Sequence, residues 1–153
     1  MGKGTIFDIL IMAAILFLIA IGVIISHYVL GQFDGAFSSS TAVSVMNSAE
    51  IAIETFNYGF VIIMGGLGIG IILLTTLLPT NPVFIIMGVL LLGIFMLVFP
   101  QLSNAYWTFT QDANMAASAA EFPIMNHIMN FLPFYMAVLG CIVLIVYYMK
   151  WKA

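Results

Sequence analysis

The chain has 153 residues; 64% are apolar, 6% are charged, and three lysines with no arginine leave a formal net charge of −3. A soluble domain of this length has too little interior to hide so much apolar surface, and the mean hydropathy of +1.23 points to lipid as the missing solvent. That excludes a soluble enzyme and a disordered tail, and without a basic patch there is nothing to meet the phosphates of a nucleic acid.

A helix rises about 1.5 Å per residue, so a hydrocarbon core of roughly 30 Å takes about 20 apolar residues. Four stretches reach or approach that length: Ile6 to Leu30, Tyr58 to Leu78, Val83 to Phe99 and Phe131 to Met149. Long unalternating apolar runs satisfy their backbone groups within lipid as helices rather than as barrel strands. The expected fold is therefore an all-α polytopic membrane protein. Its four transmembrane helices form two antiparallel hairpins, and short interfacial helices complete a single membrane domain over residues 1–153.

The first span begins with Thr5 and Asp8, which suit a capping box at a positive helix end. Its length and its Ser26-His27-Tyr28 end fit a retained signal anchor rather than a cleaved leader. In the first connecting segment, residues 31–57, Ala42, Met46, Ala49, Ile53 and Phe56 recur at helical spacing, with Asn47, Glu50 and Glu54 on other faces. This predicts a helix lying on the outer leaflet or continuing into the second span, with Asn57 as a candidate break.

The second span carries Gly65, Gly66, Gly68 and Gly70 within six positions. Glycine costs a helix about 1 kcal/mol against alanine, so the cluster needs a reason. Gly66 and Gly70 have the spacing that lets two helix backbones touch in lipid. Gly22 with Ser26, and Ala137 with Cys141, repeat it. Close helix packing is the expectation, with a partner helix in this chain or in another.

Pro79-Thr80-Asn81-Pro82 reads as a tight turn making the second and third spans antiparallel neighbours, and Pro100 bounds the third. In the second connecting segment, residues 100–130, Tyr106 and Trp107 suit the headgroup belt. Asp112 is placed to cap a short alanine-rich helix ending near Phe122. Pro123 opens another helix carrying Ile124, Ile128 and Met129, running toward the fourth span with a kink at Pro133.

Trp151 with Lys150 and Lys152 anchors the far end of the fourth span, and Lys3 flanks the first. These lysines are the only cations, so the positive-inside rule puts both termini on the cytoplasmic or equivalent inner side. Five of the six acids, Asp34, Glu50, Glu54, Asp112 and Glu121, then fall outside.

Ionisable residues at mid-membrane mark ion pathways and proton relays, and the spans have none there. One polar grouping is conceivable: His27 and His127, both placed near the outer interface, with Glu121. If the fold joined them they would make a metal or proton-sensing site, although nothing in their spacing requires it. Cys141 is the only cysteine and reads as a packing residue. No catalytic motif, cofactor-binding loop or metal-ligand spacing is present, so the expectation is a non-enzyme without cofactor.

Phe7-Asp8 at the N-terminal anchor, the Pro-Thr-Asn-Pro turn, Ser103-Asn104-Ala105-Tyr106 and Phe122-Pro123-Ile124-Met125 together resemble small polytopic membrane proteins of viruses. The resemblance covers most of the chain and brings no catalytic role. It implies a structural protein of a virion or host-cell membrane that oligomerises or packs with other membrane subunits. A holin-like pore former and an accessory subunit of a larger membrane complex are the alternatives, separable by membrane leakage and by co-purification.

Overall fold

The computed structural model describes residues 5–33, 36, 39–77 and 82–152. Within them the chain forms six helices: α1 (Thr5–Phe33), α2 (Ser40–Leu77), α3 (Pro82–Thr110), α4 (Ala116–Ala120), α5 (Pro123–Asn130) and α6 (Leu132–Lys152). Four of these, α1, α2, α3 and α6, are long and apolar enough to cross a membrane. The protein is an all-α polytopic membrane protein. Lys3, Asp34 and the Pro79-Thr80-Asn81 part of the expected turn lie outside the described residues, as does the Thr5 side chain of the expected capping box.

The spans run alternately up and down. Gly68 of α2 faces Leu139 of α6, and Thr76 faces Lys150, so these two helices are parallel. Leu92 of α3 meets Gly140 of α6 while Ser103 meets Asn130 just before α6, which makes α3 and α6 antiparallel. The start of α1 and the end of α6 therefore share one end of the bundle, the proximal end. Helices α4 and α5 fold over the other, distal end, packing on α1, α2 and α3.

Helices α1 and α6 form the centre, and each packs on all three other spans. Ile9, Ala13, Leu16, Ala20 and Ile24 make one buried stripe along α1, and Met136, Leu139, Val143 and Tyr147 make one along α6. These spacings of three and four keep one face turned inward. Helices α2 and α3 occupy opposite flanks and, among the described residues, have no substantial interface with each other. This corrects the expectation that the second and third spans are neighbours: a short connection joins them, but the α1–α6 pair stands between. Within their most apolar stretches 33% of residues are buried in α1 and α6, against 17% in α2 and α3. The flanking helices are the under-packed ones.

Three helix boundaries differ from the sequence reading. Asn57 does not break α2, which runs unbroken for 38 residues, about 57 Å. Pro100 does not end α3, which continues to Thr110; proline removes one donor, so only the carbonyl of Met96 loses its partner. Helix α5 starts at Pro123 as expected, but the break before the last span is at Phe131 and not a kink at Pro133. Pro133 sits in the first turn of α6, where a missing N–H has no helical acceptor to serve.

Among the described glycines the tightest surroundings are at Gly140, which the small-residue pattern passed over. A Cβ added at Gly140 would collide with the Leu92 side chain, whose Cδ2 and Cγ would stand 3.3 and 3.5 Å from it. Replacing Gly140 with leucine is expected to destabilise the bundle by about 1–3 kcal/mol through overpacking. Thermal or denaturant unfolding in detergent micelles measures this, and Gly93→Leu on the open face of α3, with nothing within 4 Å of its Cβ position, serves as the near-neutral comparison.

Candidate functional site

Polar side chains gather at the distal end. Asn57 is buried on α2, and its Oδ1 accepts the backbone N–H groups of Ile124 and Met125 at 3.1 and 3.0 Å. The N-cap position of α5, Phe122, has no side chain able to serve the first turn. Asn57 therefore caps α5 from another helix, supplying an acceptor for donors that every helix start leaves open. Tyr106 Oη donates to Asn126 Oδ1, and the Asn126 amide donates in turn to the Ala119 carbonyl at 2.7 Å. Ser103 Oγ donates to the Asn130 carbonyl at 2.9 Å. These bonds fasten α4 and α5 to α2 and α3.

Tyr106 is accordingly not an interface residue. Its ring is fully buried, whereas the adjacent Trp107 is half exposed. Consecutive residues on a helix point about 100° apart, so one aromatic faces the cap and the next faces outward. Asp112 does not cap α4 either: its carboxylate accepts the N–H and side-chain amide of Asn114 at 2.9 and 3.1 Å. Its carbonyl accepts the N–H groups of Met115 and Ala116, shaping the turn before α4.

The histidines separate. His127 is exposed and stacks on Phe131, with ring centroids 4.7 Å apart, and Glu121 is exposed near the end of α4. His27 is mostly buried, edge-on to the Phe122 ring at 5.4 Å, and its neighbours are Glu50 and Glu54 of α2. Its Nε2 lies 3.8 Å from Glu50 Oε1, too long for a hydrogen bond. One ligand atom from each of the three residues falls within 4.8 Å of the others. The grouping of His27 with His127 and Glu121 is thus replaced by His27 with Glu50 and Glu54. The sequence held a signal for this: Glu50 and Glu54 are one helical turn apart and share a face. It held none for which residue that face would meet.

At the proximal end, Lys150 Nζ donates to the carbonyls of Thr76 at 2.7 Å and Thr75 at 3.4 Å. The cation of one parallel helix thereby serves the open, partly negative C-terminal carbonyls of the other. Lys152 Nζ stands 5.3 Å from the Tyr148 ring centroid, and Trp151 is half exposed.

Three of the glycines of α2 have open space beside them, and a fourth touches α6. Among the described residues, and apart from the adjoining backbone of α2 itself, nothing lies within 4 Å of a Cβ built at Gly65, Gly66 or Gly70, and Gly68 meets only Leu139 Cδ1 at 3.9 Å. Ile62, Ile69 and Leu73 flank them, all more than half exposed. The pair Gly22 and Ser26 is exposed on α1; Ala137 is half-buried and Cys141 exposed on α6. No family model, curated protein or solved structure matches this chain.

Replacing Asn57 with leucine leaves two backbone donors of α5 unsatisfied, at roughly 1–3 kcal/mol for each. The expected result is early hydrogen exchange at Ile124 and Met125 and a lower unfolding midpoint. Asn57→Asp, which keeps an acceptor at the helix start, should restore most of the protection.

Proposed function

We propose that this chain is a non-enzymatic structural membrane protein that associates with copies of itself through the outer face of α2, with other membrane subunits as further partners. One observation carries the reading: among the described residues no other helix comes within 4 Å of a Cβ built at Gly65, Gly66 or Gly70, and Ile62, Ile69 and Leu73 beside them are more than half exposed. Helix association in lipid has no hydrophobic drive and depends on close backbone approach, which glycines with open space beside them permit. Three glycines on a lipid-facing surface would otherwise lower helix stability with no return. The under-packed flanks α2 and α3 support the same reading, since they leave two long faces for neighbours.

In this account the lysine-bearing ends face the cytoplasm or its equivalent, following the positive-inside rule, and the α4–α5 cap faces the opposite compartment. The chain builds or anchors a membrane assembly, and its resemblance to viral membrane proteins makes a virion membrane or the host-cell membrane that supplies it the setting.

Native mass spectrometry of the full chain in a mild detergent tests this. The wild-type protein is expected as a dimer or higher oligomer. Gly66→Leu should weaken association at least about tenfold, equivalent to about 1.4 kcal/mol, with helicity unchanged because the added side chain meets nothing in its own bundle. Gly93→Leu on α3 should leave association intact. A wild-type monomer at all concentrations, or a Gly66→Leu protein that associates normally, contradicts the proposal.

A further inference from the structure

We infer that His27, Glu50 and Glu54 form a binding site for a divalent transition-metal ion, zinc being the fitting redox-silent choice, which ties α1 to α2 at the distal end. Glutamates at positions i and i+4 project from one helix face, the spacing by which a single helix offers two ligands to one ion. The third donor comes from the opposing helix, so an ion there would bridge two elements.

The imidazole supplies the second observation. Both ring nitrogens of His27 are shielded from solvent, and neither has a hydrogen-bond partner. A buried polar group without a partner is unfavourable, and Phe122 closes the ring's other side without offering an acceptor. Zinc sits about 2.0–2.2 Å from nitrogen and oxygen ligands, which puts neighbouring ligand atoms about 3–3.5 Å apart. The 3.8 Å gap between Nε2 and Glu50 Oε1, too wide for a hydrogen bond, closes to that spacing with a small carboxylate rotation. Both glutamates are exposed, which leaves them free to turn and gives an ion a path from water.

Charge favours the same occupant. Two carboxylates one helical turn apart repel each other, and a single proton on His27 offsets only one of them. A divalent cation neutralises both and gives the imidazole nitrogen a partner. One imidazole with two carboxylates suits zinc, manganese or iron rather than the all-oxygen shells that calcium and magnesium prefer. His127 and Glu121 have no part in the site.

The test uses the full chain in detergent micelles, stripped with a chelator and titrated with zinc, with cobalt(II) as the visible-absorbing substitute. Saturable binding of one ion per chain and a raised unfolding midpoint are expected. His27→Ala, and separately the paired exposed changes Glu50→Gln and Glu54→Gln, should each lower affinity about tenfold or more, while His127→Ala leaves it unchanged. The glutamate pair keeps the test decisive if the buried histidine variant fails to fold. Absence of saturable binding, binding that survives loss of His27 in a folded protein, or equal competition by calcium would overturn the assignment.

Discussion

A chain this apolar cannot cover its own side chains, and that mismatch organises the structure. The nine formal charges and the polar caps are too few to surround a bundle in water, so the outer faces of all four long helices are left to lipid. In lipid every backbone group must be paired internally, which the helices do along their length save at the Met96 carbonyl before Pro100. What remains to be solved is confined to helix ends and to the few buried polar side chains, and each solution is local. Asn57 caps α5, Lys150 serves the last carbonyls of α2, and buried Thr75 bonds back to the Ile71 carbonyl.

Packing follows from which helices are central. With α1 and α6 in the middle, the bundle closes through their buried stripes and through the Leu92–Gly140 approach, leaving α2 and α3 as flanks. Glycine serves two different ends here. At Gly140 it admits a neighbouring side chain inside the bundle; at Gly65, Gly66 and Gly70 of α2 it meets no other described helix. The proposed association and the internal fold therefore draw on separate surfaces, and one can be disturbed without the other.

Four spans, their alternation and the proline start of α5 were legible because long apolar runs and helix-opening prolines act locally. Partners were not. A residue facing lipid and one facing a neighbouring helix are both apolar, so the spans carry little of the amphipathic contrast that reveals an inward face in water. With no inward face to read, the short turn alone made α2 and α3 read as neighbours, and position after the third span made Tyr106 read as an interface residue. Asn57 looked like a break because asparagine favours caps, and it is one, but for a helix 67 positions further on. Pro100 looked like a terminus, although a single lost donor does not stop a long helix held along one side by packing. The pairing of His27 with Glu50 and Glu54 depends on how far α1 and α2 overlap, which is set by packing along the hairpin and not by any residue in it.

Everything rests on an even number of crossings that brings the start of α1 and the end of α6 to one face of the bilayer. Membrane-impermeant amine labelling of sealed vesicles, read at Lys3 and at Lys150 and Lys152, examines this directly. The account predicts that both ends react from the same side and are protected together in vesicles of opposite orientation. Modification of one end with protection of the other would contradict it.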